Sequence, residues 1–462
     1  MLEFAGKQAD QVRKLLPVND YIFFWGCTIP GRFPFLEKSL RLVLDELGVR
    51  FREIEGFTCC PEKFLVETLS EEAWYLTAAR NLALAEKNGG DLLVACNGCY
   101  STFRSVITAF SSSAALRREV SAKLEEIGLE YNFRSSVYHI VQVLHDKIGP
   151  DVIARRVALG MDGMKIGVHV GCQVLRPSPT VRIDDPLHPV KLDRLVECLE
   201  ATSIDYESKL MCCGEALGRA GNADKSMASA RLKLLELEQN EADAMVVVCP
   251  ACFQQFETQQ MVIGKQIENL SIPVFYYTEL LGLALGFTPG EMGLDMHRVP
   301  VQPFLDRWED LRRVRKSIPA EFDSKAMTTC VNCGSCSNDC PVVQVDDEFD
   351  PHAVLESILK GGADGVVAGD EIWKCLECGT CIEMCPNNFG MMKVFKEAKR
   401  MALARGIAPA ETSQGIEMFK SAGVLGKSRE RARAKLGLEP VPEPGSEELA
   451  RLLESTLRSK DD

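Results

Sequence analysis

The chain has 462 residues, 46% of them hydrophobic and 26% charged, a composition that fits a soluble globular protein of about three domains with ample core. Its net charge of −13 argues against nucleic acid or an anionic membrane surface as a partner. No apolar run approaches the roughly 18 residues of a membrane span, and the opening M-L-E-F-A-G-K-Q-A-D lacks the apolar stretch of a secretory signal. The expected compartment is therefore the reducing cytoplasm, where 19 cysteines favour metal or redox chemistry over disulfides.

Residues 1–19 carry no clear pattern and read as an N-terminal extension with a short helix. Y-I-F-F-W-G at 21–26 reads as a buried strand ending at Cys27. Leu36, Leu40, Val43, Leu44 and Leu47 share one face of a helix that Gly48 stops. A strand over 49–55 leads to Cys59-Cys60-Pro61. Ser70 is placed to cap the next helix, with Glu71 and Glu72 in its first turn, and that helix runs to about Asn88. D-L-L-V-A-C at 91–96 is a short buried strand, and a helix begins at Cys96-Asn97-Gly98-Cys99.

The pattern then recurs. A strand at 165–170 leads to Cys172, a helix spans about 192–202, and a short strand precedes Cys212-Cys213-Gly214. A long helix covers roughly 223–241, and a strand at 244–249 ends in Cys249-Pro250-Ala251-Cys252. The trailing segments correspond too, 137–149 with 274–286. Two copies of one α/β unit, 20–160 and 161–290, are expected to pack about a pseudo-two-fold axis. Pro289-Gly290, Pro300, Pro303 and a charged run make 291–322 read as a linker. A mostly α-helical, ferredoxin-like domain follows at 323–412, with a helix started by Pro351 and stopped by Gly361. The tail, 413–462, ends in a helix from Ser446 whose Leu449, Leu452, Leu453 and Leu457 form a stripe expected to dock on the chain's own body.

Two runs dominate the chemistry. C-V-N-C-G-S-C-S-N-D-C-P at 330–341 and C-L-E-C-G-T-C-I-E-M-C-P at 375–386 are both C-x2-C-x2-C-x3-C-P. Four thiolates hold one iron–sulfur cluster, and in two-cluster proteins the fourth cysteine of each run ligates the other cluster. Cys330, Cys333, Cys336 and Cys385 are thus one expected [4Fe–4S] ligand set, and Cys375, Cys378, Cys381 and Cys340 the second. Zinc is the alternative, but its sites usually pair two C-x2-C knuckles.

Each repeat carries five more cysteines. The first has Cys27, then 31 residues, Cys59-Cys60, 35 residues, and Cys96-x2-Cys99. The second has Cys172, then 39 residues, Cys212-Cys213, 35 residues, and Cys249-x2-Cys252. A cubane of four irons needs four terminal ligands, so a fifth thiolate points to a cluster of another shape. Each C-x2-C lies where a strand ends and a helix begins, where free N–H groups stabilise anionic sulfur. A strained disulfide, zinc with one spare thiol, or a degenerate set are the alternatives.

This spacing is the signature of the cysteine-rich (CCG) domain, and two such domains resemble the B subunit of heterodisulfide reductase. F-F-W-G-C-T at 23–28, C-N-G-C-Y at 96–100, H-V-G-C at 169–172 and C-P-A-C-F at 249–253 support the match. The helical two-cluster segment resembles the C subunit of the same enzyme, so residues of about 20–412 look like a B–C fusion. The resemblance implies an enzyme, a disulfide oxidoreductase. Each complete set of five would hold a noncubane [4Fe–4S] cluster, the two clusters would face each other, and a disulfide would be cleaved between them, one electron at a time. Two cubane [4Fe–4S] clusters would feed them. The substrate would be the coenzyme M–coenzyme B heterodisulfide in a methanogen, which is methanogenesis chemistry. Cys59-Cys60-Pro61 departs from the Cys-Cys-Gly of the second repeat, and both variants are compatible with ligation.

No G-x-G-x-x-G follows a strand, so neither flavin nor NAD is expected on this chain. The resemblance implies electrons from the enzyme's flavin-bearing A subunit, often in a dimeric, electron-bifurcating assembly with a hydrogenase or formate dehydrogenase module. The alternative is an iron–sulfur electron-relay subunit of another oxidoreductase, without disulfide chemistry. Three residues stand apart. Cys198, on a helix, reads as a small buried hydrophobe. His169 is placed to donate to cluster sulfur or relay a proton, or else to be a satisfied structural histidine. Arg176 is placed to meet an anionic substrate group.

Overall fold

A computed structural model of the chain describes residues 21–263, 270–328, 330–426, 428–442 and 444–458; the N-terminal extension expected over 1–19 lies outside them. The described residues form two compact units, divided between Leu311 and Arg312.

In the first unit, strongly apolar runs become fully buried parallel strands. The first repeat runs β1 (Tyr21–Phe24), α1 (Pro34–Glu46), β2 (Phe51–Arg52), α2 (Glu71–Lys87), β3 (Asp91–Val94), α3 (Asn97–Ser112) and β4 (Val137–His139). Its sheet has the order β2-β1-β3-β4, with Tyr21 opposite Asp91 and Leu92 opposite Val137. The second repeat runs β5 (Lys165–His169), α4 (Lys191–Glu197), β6 (Thr202–Ile204), α5 (Ala223–Gln239), β7 (Ala244–Val247), α6 (Pro250–Ile263), β8 (Val274–Tyr276) and α7 (Tyr277–Leu285). Its order, β6-β5-β7-β8, is the same topology. In both sheets the chain leaves the first strand to one side and returns on the other. The crevice at such a switch point, beyond the carboxyl ends of the strands, is where open parallel sheets hold ligands. Cys27 and Cys96 follow β1 and β3 at that crevice, and Cys172 and Cys249 follow β5 and β7.

Local chemistry explains two of the expected element ends. Ser70 Oγ accepts from the Ala73 N–H at 3.1 Å, as its cap position requires, and Gly48 takes a φ of +74° after α1. Some expected elements are shorter. The strand expected over 49–55 is only Phe51–Arg52, and the helix expected over 192–202 ends at Glu197 because 202–204 is drawn into the edge of the second sheet.

The two repeats share one continuous core. α7 lies on α1, where the buried hydroxyls of Ser39 and Thr278 meet at 2.7 Å. Tyr276, fully buried, directs its hydroxyl at Ala95 O (2.7 Å) and Val248 O (3.3 Å), the carbonyls that precede Cys96 and Cys249. One phenol therefore ties together the equivalent turns of both repeats.

The segment expected as a linker is largely structured. Helix α8 (Gln302–Ser317) buries Phe304 and Trp308 in the first core, and Trp308 Nε1 donates to Gly160 O at 2.9 Å. Just before it, His297 is buried between two carboxylates, with Nε2 2.9 Å from Glu279 and Nδ1 3.3 Å from Glu257. Burial alone would lower its pKa, but Glu279 and Glu257 outweigh burial and raise it to about 10.

In the second unit every regular element among the described residues is a helix. α9 (Pro351–Leu359) and α10 (Met391–Ala404) pack around Phe349, Leu355, Ile358, Phe395 and Ala398. The tail helix α12 (Ser446–Arg458) packs on the neighbouring helix α11 (Ala410–Ala422), with Leu449 and Leu453 half-buried and Leu452 left exposed, so only part of the expected stripe is covered.

The His297 ion cluster makes a testable contribution to stability. A pKa raised above the unfolded value of 6.5 adds stability that is complete below that value and is lost as pH rises through about 10. His297→Gln is expected to cost about 3 kcal/mol near pH 6, read as a lowered urea midpoint. The gap to wild type should narrow steadily toward pH 10.

Candidate iron–sulfur sites

In the first repeat the sulfurs converge. Cys59 Sγ lies 4.0 Å from Cys27 Sγ, and Cys60 is flanked by Cys59 and Cys99. Cys27 and Cys59 are exposed, while Cys60 and Cys99 are buried. The second repeat copies this, with Cys172 Sγ 3.7 Å from Cys212 Sγ and Cys213 against Cys252. Crowding splits each set. Cys59 and Cys99 lower the Cys60 thiol to about 6, and hydrogen bonding to Cys59 raises Cys27. Cys172 and then Cys213 hold Cys212 low, while Cys212 raises both Cys172 and Cys213. Such mutual frustration among thiols is what a cationic metal cluster relieves.

The two sets are neighbours. Cys96 interacts directly with Cys249, which is held well below the thiol range by Cys252 and Cys96, with the Cys252 and Asn97 backbones adding to it. Asn97, buried at the start of α3, donates from Nδ2 to Val170 O of the second repeat at 2.7 Å. Gly171 has a φ of +87°, and a Cβ there would sit 2.4 Å from Asn97 Nδ2. Only glycine allows this approach. Gly26 plays the same part in the first repeat, where a Cβ would lie 3.1 Å from Cys99 Sγ. These bare backbones leave room beside the sulfurs, and the all-thiolate donor sets suit iron–sulfur clusters.

Further charged residues ring this seam. Arg219 contacts Glu62 at 3.2 Å and Glu215 at 2.7 Å. Glu62 and Glu215 occupy the same repeat position, two residues after Cys60 and Cys213. That shared offset is visible in Cys-Cys-Pro-Glu and Cys-Cys-Gly-Glu and is the signal that could have found them. Asn97 and Tyr276 have no such signal. Arg176, expected to face a substrate anion, donates to Leu210 O at 2.9 Å and so braces the loop before Cys212. His169 is buried at the end of β5, and burial followed by Lys233 pushes its pKa down to about 3.

In the second unit, one cavity is lined by Cys340, Cys375, Cys378 and Cys381, with Cys336 at its edge. Another is lined by Cys330, Cys333, Cys336 and Cys385, with Cys381 at its edge. The fourth cysteine of each run thus lies with the other run's triplet. Both runs bend alike: Asn332 and Glu377 have a φ of +54°, followed by Gly334 at +75° and Gly379 at +82°. The left-handed turns wrap each run around its cavity. Backbone N–H groups reach sulfur, from Phe389 to Cys385 at 3.3 Å and from Met392 to Cys381 at 3.1 Å.

A cysteine-rich domain model matches residues 21–104 and 166–257, and a 4Fe-4S dicluster domain model matches 326–389. The chain is 34% identical over 284 residues to the B subunit of the ferredoxin/F(420)H(2)-dependent CoB-CoM heterodisulfide reductase of Methanosarcina acetivorans, covering 61% of this chain and 94% of that one. The chain belongs to the heterodisulfide reductase family. Its later part is 28% identical over 138 residues to the C subunit of the ferredoxin:CoB-CoM heterodisulfide reductase of Methanosarcina mazei, covering 29% of this chain and 81% of that one. Its first part is thus similar to a B subunit and its later part to a C subunit, as in a B–C fusion, with cysteine-rich domains in the first and a 4Fe-4S dicluster domain in the second. It is also 28% identical over 281 residues to the membrane anchor subunit of the 8-methylmenaquinol:fumarate reductase of Wolinella succinogenes, covering 60% of this chain and 96% of that one. Among the described residues, no helix is long and apolar enough to cross a membrane.

Cys198 lies apart from all four sets. Its Sγ donates to Leu195 O at 3.1 Å beside Tyr277, and burial raises its pKa to about 12. Cys198→Ala is expected to leave iron and sulfide content unchanged and to cost at most about 1–2 kcal/mol of stability. Cys60→Ala should lower iron content by about one cluster; metal analysis beside a denaturation curve distinguishes the two.

Proposed function

We propose that this chain is the catalytic and electron-transfer subunit of a heterodisulfide reductase complex. The reaction is R–S–S–R′ + 2 e⁻ + 2 H⁺ → RSH + R′SH, and in a methanogen the substrate is the coenzyme M–coenzyme B heterodisulfide. The observation that carries this reading is the adjacency of two complete five-cysteine sets across one seam, with Cys96 beside Cys249 and the exposed Cys27, Cys59 and Cys212 at the rim.

In this reading Cys27, Cys59, Cys60, Cys96 and Cys99 hold one noncubane [4Fe–4S] cluster, and Cys172, Cys212, Cys213, Cys249 and Cys252 hold the other. Cys330, Cys333, Cys336 and Cys385 hold one cubane, and Cys375, Cys378, Cys381 and Cys340 the second. When bound, the clusters supply single electrons. The protein supplies placement: Asn97 and Tyr276 fix the approach of the two sets, and the buried aliphatic core behind them keeps water from their inner side. Electrons come from the complex's flavin-bearing A subunit, in a dimeric bifurcating assembly with a hydrogenase or formate dehydrogenase module. The division into repeats 20–160 and 161–290 and a ferredoxin part 323–412 belongs to the same proposal. So does a cytoplasmic location, since sets of reduced thiols need a reducing compartment.

A second reading is an electron-relay subunit without disulfide chemistry, and the likeness to a fumarate reductase chain favours it. An anaerobic assay separates the two. Reduced viologen is supplied to the full chain with a panel of disulfides that includes the coenzyme heterodisulfide. Turnover is expected, and Cys59→Ala or Cys212→Ala should lower it by at least about 100-fold. No turnover from protein with four intact clusters would leave the relay reading standing.

A further inference from the structure

The two cysteine sets share a scaffold but not a backing residue. Three residues before Cys27, at the end of β1, stands Phe24; three before Cys172, at the end of β5, stands His169. Phe24 meets Phe103 edge-on, with centroids 4.9 Å apart and ring planes at 88°. His169 meets Phe256 in the same way, at 5.1 Å and 82°. Phe103 and Phe256 are themselves equivalent, each four residues after the last cysteine of its set. One ring in an otherwise copied arrangement has been exchanged for an imidazole.

That imidazole is 1% exposed, and neither Nδ1 nor Nε2 has a hydrogen-bond partner. Buried polar groups left unpaired destabilise a fold, so a partner is called for. The groups facing the ring are sulfurs: a ring nitrogen of His169, Cys213 Sγ and Cys252 Sγ lie within 4.8 Å of one another. Direct ligation by His169 would be surplus, because the set already offers five thiolates and the first set manages with phenylalanine. Donation of N–H to sulfur fits both the geometry and the internal comparison. The buried Lys233 adds to the asymmetry. Its ammonium, donating to Ser208 O and Lys209 O, places positive charge near Cys252, Cys213 and Cys212.

We infer that His169 donates a hydrogen bond to the sulfur of Cys213 or Cys252 and makes the cluster of the second set the easier of the two to reduce. The inference rests on the proposal that both sets hold clusters. Hydrogen bonds to cluster sulfur withdraw negative charge and stabilise the reduced state. The first set, backed by Phe24, receives no such bond from that position. An otherwise symmetric pair of sites is thereby given a direction, with His169 acting as a positioning and tuning residue.

The test uses the full chain, labelled with ¹⁵N-histidine, in wild-type, His169→Phe and His169→Gln forms. Iron and sulfide are counted, and the clusters are followed by electron paramagnetic resonance during reductive titration. Wild type should show a weak ¹⁵N coupling on the one of the two five-cysteine clusters that reduces first. His169→Phe, which copies the first repeat, should keep its iron, lose that coupling and shift that midpoint to more negative potential; His169→Gln should recover part of the shift. Intact clusters with unmoved midpoints would overturn the inference, as would a strong coupling typical of a directly bound nitrogen. Should His169→Phe lose its cluster, the reciprocal Phe24→His decides: the midpoint of the first set must rise, and an unchanged one overturns the inference. A wild-type chain with iron missing from the second set would instead defeat the underlying cluster assignment.

Discussion

The structure depends on how closely two switch-point crevices can be brought together. Each parallel sheet leaves a crevice at the carboxyl ends of its central strands, and each crevice receives five thiols. A single crevice is an ordinary ligand site. The first unit turns two of them toward each other, and it does so with very few atoms: the Tyr276 hydroxyl between Ala95 O and Val248 O, and the Asn97 amide on Val170 O. These bonds are buried, so water cannot replace them without cost. Gly171 supplies the clearance that lets the Asn97 amide in.

From that constraint comes a division of labour between symmetry and its breaking. The repeated scaffold delivers two equivalent sulfur sets, with Glu62 and Glu215 at equivalent rim positions sharing one arginine, Arg219. Divergence within the scaffold then distinguishes them, with Phe24 behind one set and His169 behind the other. Two-electron chemistry assembled from one-electron carriers benefits from both features. Symmetry brings the carriers to one place, and asymmetry sets an order. The second unit repeats the same economy on a smaller scale, where Asn332 and Glu377 bend their runs identically.

Much of this is legible in the sequence, and the reasons are physical. Buried parallel strands need near-continuous apolar runs, so Y-I-F-F, D-L-L-V and A-M-V-V announce themselves, and the cysteines after them mark the ends of the strands. The exchanged fourth cysteines follow from the C-x3-C-P spacing. The segment 291–322 reads as a linker in sequence because Pro300, Pro303 and the charged run dominate it, although Phe304, Trp308 and Leu311 recur at helical spacing and pack on the first core. The strand expected over 49–55 shrinks to Phe51–Arg52 because an edge strand is set by its pairing with β1 rather than by local propensity. Asn97 and Tyr276 act through contacts between residues far apart in the chain, which no local pattern encodes.

The central claim is that both cysteine sets form one site. It is tested most directly by electron paramagnetic resonance of the reduced full chain, reading the magnetic interaction between the clusters of the two sets. The account predicts that each broadens the other, and that Cys60→Ala or Cys213→Ala, by removing one cluster, leaves the remaining signal sharp. Two sharp, independent signals in the wild-type chain would contradict it.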